Sequence, residues 1–419
     1  MAAHLHPGYW QMSMATLENH IATAVPAGQP DYSGTLSVRA CLTWPELERF
    51  CDDWERLLAA NSQCSIFLTP EWIGAWWQSF NQGREFVGLL FQDSHGAVVG
   101  IAPFYIEPGS GLRSGMKVLR LAGAGSGDSD ALDFITAPGF EKAVAAGFLD
   151  WSQEQSTWDI CSLETLPPDS PSAQHLLYGA RAKGISLFTE DLPHSYVDLP
   201  ATWDSYLQML EPGFRPLLTR YPKRLRSRYE VRVFRCGQGE QLDFHLQTLF
   251  TLHQMRWSGR GKPGAFSSPE RRQFYSAMAR GFLNRGWLEF WLLTLDNEIV
   301  AAQFCFRYRD TVYLLQEGFH PRYAEEKIGY ALRAHVLQMA IESGARRYDF
   351  LGGADAYKKK FGAREGSYLN LHLASPSLAG RAVLATESWI RHGKGWLKKN
   401  LPRPALSLLR REGTKPKAS

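Results

Sequence analysis

"YDFLGGADAYKKKFGA", residues 348–363, sets an aspartate between two aromatic residues, follows it with a glycine pair, and places Tyr357 ahead of three lysines. The aromatic run reads as a strand that ends at Gly352–Gly353, with a short cationic segment beyond. Just upstream, "QEGFHPRYAEEKIGYALRAHVLQMAIESGARR" (316–347) predicts a strand ending near Gly318, a turn through Pro321 and a helix opening close to Gly329. The first N–H groups of a helix have no partner inside it and share the direction of its dipole, so they favour phosphate. Gly329 and Ala331 lack bulk that would hold an anion away from the backbone. Lys327, Ile328, Gly329, Tyr330 and Ala331 are therefore the candidate cofactor-binding residues, with close packing as the other reading of Gly329 and Ala331.

Outward from this stretch, one order of elements occurs twice along the 419 residues: helices, a hairpin, a strand, a helix, a strand. The first copy contains "LTPEWIGAWWQSF", where Thr69 caps, Pro70 suits the first turn and Glu71 complements the dipole. The hairpin turns at Asp93-Ser94-His95-Gly96, and "WDICSLETLP" ends the copy. The second runs from "ATWDSYLQML" to "ARRYDFLG". The expected organisation is a flexible extension over 1–35, two α/β domains of one type over 36–195 and 196–375, and a basic tail over 376–419.

Composition bounds the reading. A 44% hydrophobic, 13% aromatic chain can bury a large core. The net charge of +4 is too small to imply nucleic acid by itself. The six cysteines show no metal-type spacing and read as reduced core residues of a cytoplasmic protein. No secretory signal or membrane-spanning run is expected. No G-x-S-x-G, H-E-x-x-H or Walker loop occurs, which disfavours serine hydrolase, zinc enzyme and NTPase readings.

The strand, G-x-A turn, helix and strand, with Tyr348-Asp349-Phe350, Gly352-Gly353, Tyr357-Lys358 and Phe361-Gly362, resemble the GNAT superfamily. The closer resemblance is to its cellulose-biosynthesis-type acetyltransferase branch, related to the Fem-type peptidoglycan aminoacyl transferases. It covers about residues 36–375. It implies tandem GNAT-like domains of α/β class, each a mixed, mostly antiparallel sheet flanked by helices. It also implies an acyltransferase that uses acetyl-CoA or another acyl-CoA, without a metal, to modify a polysaccharide, lipid-linked sugar or related envelope precursor. Two alternatives are a Fem-like aminoacyl transferase drawing on aminoacyl-tRNA and a catalytically silent GNAT-fold binding protein. Glu326 stands where the superfamily's pyrophosphate turn has Gln or Arg, and a carboxylate there is expected to repel phosphate.

The catalytic candidates are Asp349, as base or as a structural acceptor for the following turn; Tyr357, as proton donor to the leaving thiolate or a packed ring; and Lys358, the best placed of a run that otherwise reads as a solvated face. "LAGAGSGDSDALDF" (121–134) fails the dinucleotide pattern, and the resemblance turns it toward the first-domain cleft. Asp128, Asp130 and Asp133 there are candidates to hold an acceptor, with turn chemistry as the other reading for the first two. Trp72, Trp76 and Trp77 are spaced as core rather than as a sugar platform. A basic cluster from Arg215 to Arg235, including Arg224, suits an anionic acceptor or pairs with acidic neighbours. From residue 376 on, Arg381, Arg391, Lys394, Lys398, Lys399, Arg403, Arg410, Arg411, Lys415 and Lys417 face only Glu387 and Glu412, with Trp389 and Trp396 interleaved. That pattern suits an anionic membrane surface or a solvated tail. The expected partners are a small-molecule or glycan acceptor and no DNA.

Overall fold

The computed structural model describes Tyr32 and residues 34–237, 241–258, 261, 263–353 and 355–400, with side chains through Arg391. Most of the 1–35 extension, and the tail beyond residue 400, lie outside the described residues. The first half runs β1 (Ser37–Cys41), α1 (Trp44–Glu48), α2 (Cys51–Ala60), α3 (Pro70–Phe80), β2 (Glu85–Gln92), β3 (Val98–Pro108), β4 (Lys117–Leu121), β5 (Ile135–Thr136), α4 (Glu141–Glu154), β6 (Ile160–Leu166), α5 (Pro171–Ala182) and β7 (Leu187–Asp198). The second runs α6 (Trp203–Met209), α7 (Arg215–Arg226), β8 (Val231–Arg235), α8 (Gln241–Ser258), α9 (Pro269–Asn284), β9 (Leu288–Leu295), β10 (Glu298–Tyr308), β11 (Thr311–Phe319), α10 (Ile328–Glu342), β12 (Arg347–Gly352), α11 (Ala356–Lys360) and β13 (Arg364–Ala374), and α12 (Leu378–Asn400) follows.

Local chemistry accounts for the boundaries. Thr69 caps α3 by accepting the Trp72 N–H. Asp296 and Asn297 take positive φ at the β9–β10 turn, a conformation their short polar side chains tolerate. Trp72 and Trp76 are fully buried, as their spacing predicts. The Trp72 ring lies against Phe67 of the first half and Phe274 and Phe282 of the second, so it joins the two halves.

Among the described residues thirteen strands form one sheet in the order β1-β2-β3-β4-β6-β13-β7-β12-β11-β10-β9-β8, with β5 paired to β3. The two parallel pairs, β4 with β6 and β11 with β12, are each joined by a crossover through a helix, α4 or α10. The duplicated order is therefore a duplicated β-α-β unit inside mostly antiparallel surroundings. The last strand of each half leaves home: β13 pairs with β6, β7 pairs with β12, and the two travellers pair with each other. Residue 195 thus falls inside β7, a strand shared by both halves. No helix among the described residues is long and apolar enough to cross a membrane.

Candidate active site

The site is built where β11 and β12 part company. Their register runs Thr311 to Arg347, Val312 to Tyr348 and Tyr313 to Asp349, and stops there. Beyond the last pair the strands splay, and a cleft of about 610 Å³ opens between Leu314–Phe319, Phe350, Gly352 and the start of α10. Four cationic side chains (Arg256, Lys327, Arg333, Lys358) and two carboxylates (Glu317, Asp355) line it, which favours an anionic ligand.

All five expected cofactor-binding residues lie at this helix start. Lys327 occupies the N-cap position with φ 54°, and Ile328 and Gly329 open the helix. Lys327, Ile328, Gly329 and Tyr330 line the cleft, while Ala331 is buried beneath it. A β-carbon on Gly329 would stand 3.4 Å from the Phe319 ring, so any longer side chain would fill the cleft mouth. The repulsion expected of Glu326 is answered by the basic helix α7 and the residues just after it. Arg228 donates to Glu326 at 2.8 Å, and Arg224 stands 3.9 Å away, so the carboxylate is neutralised. Arg224 therefore faces Glu326, the acidic-neighbour reading of the cluster. Arg232 pairs likewise with Glu230 and Arg235 with Glu289.

Inside the cleft lies a polar centre that the sequence reading missed. Glu317 on β11 accepts from Arg333 of α10, from Arg256 of α8 at 3.3 Å and from Gln303 at 3.2 Å. Burial pushes the Glu317 carboxyl up, but the two guanidinium charges outweigh it and hold the carboxyl below its usual range. Arg333 is buried under the rings of Phe350, Tyr357 and Phe361, the last two 5.0 and 4.7 Å from its guanidinium carbon. A signal was present: Glu317 and Arg333 are charged residues inside otherwise apolar runs, and such charges must find partners.

The opening stretch explains itself here. Leu351 has φ 58°, a left-handed conformation costly for a residue with a β-carbon. Asp349 and Lys358 hold that peptide from both ends. The Leu351 N–H donates to Asp349 Oδ1 at 2.7 Å, and Lys358 Nζ donates to the carbonyls of Leu351, Gly352 and Gly353 at 3.1, 2.6 and 3.0 Å. Lys358 is thus 3% exposed, not on a solvated face, and its three donors are spent on backbone oxygens. Tyr357, on the same short helix, lines the cleft, and burial raises its hydroxyl to about 12.

Asp349 faces the other way. With its register partner Tyr313 it lines a second cleft, of about 770 Å³, whose walls include Asp133, His194, Tyr196 and Tyr368 and whose rim carries Arg309, Asp310, Arg346 and Arg347. The His194 ring stacks on Tyr368 with centroids 4.1 Å apart. Burial raises Asp349 to about 7, and neighbouring Asp130 adds to the rise. Burial raises Asp133 to about 7 as well, against a hydrogen bond from Ser170. Asp130 accepts the Gly352 N–H and is pushed by burial to about 6; it lines a smaller cavity of about 340 Å³ that shares Gly352 with the first cleft. Asp128 is set apart: it is buried, ion-paired with Arg271 at 3.1 Å and bonded by the Tyr275 hydroxyl. The structure therefore gathers Asp349, Lys358, Asp130 and Tyr357 around the Gly352 bend and places Asp128 and Arg224 elsewhere. No group of His, Cys, Asp and Glu among the described residues could hold a metal ion.

The raised Asp349 makes a stability prediction with a definite sign. The folded state holds this proton up to about pH 7, whereas the unfolded chain releases it near 3.9, so stability falls as pH rises between the two. Acidification from about pH 7.5 to 5.5 is expected to gain roughly 2 kcal/mol at this residue. Asp349→Asn, which keeps the acceptor oxygen, should lose that gain relative to the parent in denaturant titrations at the two pH values. Equal pH slopes in the two proteins would refute it.

Residues 214–359 match the family model described as acetyltransferase (GNAT) domain. The solved structure of FemX superposes with a TM-score of 0.56 at 12% identity, over 80% of this chain and 96% of that one. A tandem GNAT protein from the clavulanic acid biosynthesis pathway gives 0.46 at 13% identity, over 81% and 100%. L-PGS from Bacillus licheniformis gives 0.45 at 14%, over 85% and 99%. No curated protein is significantly similar in sequence. The strands that part at Tyr313 and Asp349, with a helix opening beside them, thus lie in a chain of GNAT-type fold, within the stretch that is similar to the GNAT acetyltransferase domain model.

Proposed function

We propose that the protein transfers an acyl group from a coenzyme A thioester to an amine or hydroxyl of a polysaccharide, lipid-linked sugar or related cell-envelope precursor. The observation that carries the reading is the cationic cleft in the β11–β12 fork, beside the opening of α10 at Ile328 and Gly329 and with Glu326 paired to Arg228. The donor's diphosphate lies at Lys327–Ala331 and its thioester at the fork. The acceptor enters from the larger cleft on the other face.

Asp349, with a proton affinity near the working pH, takes the proton from the attacking nitrogen or oxygen. The new bond to the acyl carbon forms as the carbon–sulfur bond breaks. Tyr357 steadies the departing sulfur by hydrogen bonding. Full proton transfer is disfavoured, because a hydroxyl near 12 against a thiol near 8.5 costs about 5 kcal/mol. The pairing of Arg224, Arg228, Arg232 and Arg235 with carboxylates weakens the case for a tRNA track on α7 and β8. Glu326 is the feature that most favours the silent-protein alternative, and its pairing with Arg228 and Arg224 weakens that case.

Thermal unfolding in a series of acetyl-CoA and CoA concentrations tests the reading. Stabilisation should grow with the logarithm of ligand concentration, reaching about 2.7 kcal/mol at a hundred times Kd. Tyr357→Phe should keep that shift and lower kcat about 10²-fold. Absence of any shift with CoA, combined with salt-sensitive binding of aminoacyl-tRNA, would overturn the proposal in favour of the Fem-like one.

A further inference from the structure

Leu351, Gly352 and Gly353 make the bend beside the fork, and every N–H and carbonyl they carry has a partner. The three carbonyls accept from Lys358, and that of Gly353 also accepts from the Ser195 hydroxyl at 2.9 Å. The three N–H groups go to three different acceptors. Leu351 donates to Asp349 Oδ1 at 2.7 Å, Gly352 to the Asp130 carboxylate, and Gly353 to the Pro193 carbonyl at 2.9 Å. Pro193 and Ser195 stand on β7, and Asp130 in the loop between β4 and β5, so the first half of the chain holds a bend that belongs to the second.

Asp130 is itself held from behind. Ser129 accepts the Trp72 indole N–H at 2.8 Å, and the Ala131 carbonyl accepts the Ser65 hydroxyl at 2.9 Å, which fixes the residue between them. Asp130 is 8% exposed, and its Oδ2 has no hydrogen-bond partner among the described residues. A buried carboxylate left half open keeps its charge to act on its neighbours. The cations near it and near Asp349 are Lys358 of α11, whose donors are spent on the bend, and Arg347 of β12, which acts on Asp349. Tyr313, Tyr368 and His194, from β11, β13 and β7, are kept neutral near pH 7 by burial. Glu164, across the small cavity, is bound to Arg120. Ionising Asp130 therefore opposes ionising Asp349, and the two carboxyls titrate as a pair.

We propose that Asp130 is a positioning residue for the transfer at Asp349: it fixes the Gly352 amide, and with it the bend that aims the Asp349 carboxyl, and its own charge acts on that carboxyl. The proposal rests on the reading of Asp349 as the base and adds to it a residue from the other half of the chain. The first half then takes part in the reaction beyond forming a wall of the acceptor cleft.

Two variants separate charge from position. Asp130→Asn keeps an acceptor for the Gly352 N–H and removes the charge. In it, the titration midpoint of the Asp349 carboxyl, followed by carbon NMR and assigned by its loss in Asp349→Asn, should move to lower pH by about one unit. The acid limb of CoA release from acetyl-CoA should move with it. Asp130→Ala removes the acceptor too, and amide exchange at Gly352 should be about tenfold faster than in Asp130→Asn. An unmoved Asp349 midpoint, or equal exchange in the two variants, would overturn the proposal even where CoA stabilises the protein. A midpoint that moves without the acid limb would overturn it together with Asp349 as the base. Failure of the acyl-transfer reading itself shows separately, as the absence of any thermal shift with CoA.

Discussion

Arg333→Met is expected to lower the free energy of unfolding by about 3–5 kcal/mol, the range for removing one partner of a buried ion pair. The reason lies in what remains. Glu317 would keep Arg256 at 3.3 Å but lose its nearer guanidinium, inside a cleft walled by Phe319, Phe350 and Tyr357. In the parent, Glu317 is held below the normal carboxylate range, so its contribution to stability is present above the unfolded value and disappears as pH falls through the folded one. The variant should lose that acid-side slope. The double variant Glu317→Gln, Arg333→Met replaces both charges and should recover most of the deficit, because uncompensated burial causes the loss rather than the absence of a contact. Urea titration decides it: a single variant within about 1 kcal/mol of the parent, or a double variant no better than the single, contradicts the account.

Lys358→Met should cost about 2–4 kcal/mol, because three carbonyls lose a charged donor at once while the apolar stem is largely preserved. The ammonium is itself penalised by burial, which lowers its proton affinity and keeps the net figure below the sum of three charged hydrogen bonds. The loss should be local as well as global. Leu351 would be held in its left-handed conformation by Asp349 alone, so the bend at Gly352 should relax and amide exchange at residues 351–353 should rise. Lys358→Arg should not rescue, since a planar guanidinium cannot aim three donors at carbonyls that converge on one point. Full stability in the methionine variant would mean that the carbonyls find water, and that the lysine is retained for another purpose.

Much of the fold was legible because the relevant signals are short-range. The capped helix at Thr69, the hairpin at Asp93–Gly96 and the helix opening near Gly329 each announce themselves within a few residues, and each appears where its residues call for it. The exchange of β7 and β13 was not legible. Nothing in a strand's own residues names its neighbour, and "LFTEDLPHSYVD" (187–198) carries acids and Pro193, which argue against a central strand. Pro193 is tolerated because its carbonyl, the group it retains, accepts the Gly353 N–H at 2.9 Å. In the site, the strand, the glycine break and the tyrosine could be read directly. The direction each side chain faces could not: Asp349 and Phe350 are consecutive, and strand alternation sends one to each cleft. Lys358 misled because runs of lysine are commonly hydrated, and only the strained peptide above it shows why this one is not.

The travelling strands bear on how the chain comes into being. Synthesis delivers β6 long before β13, so the edge that will receive residues 364–374 stays open while about two hundred more residues are made. Neither half, expressed alone, would own a complete set of neighbours: 36–195 would present a bare β6 edge and a β7 without partners, and 196–375 a β12 paired only with β11 and a β13 without partners. A gene cut at the apparent repeat boundary should therefore yield two insoluble fragments rather than two modules, because each half completes the sheet of the other.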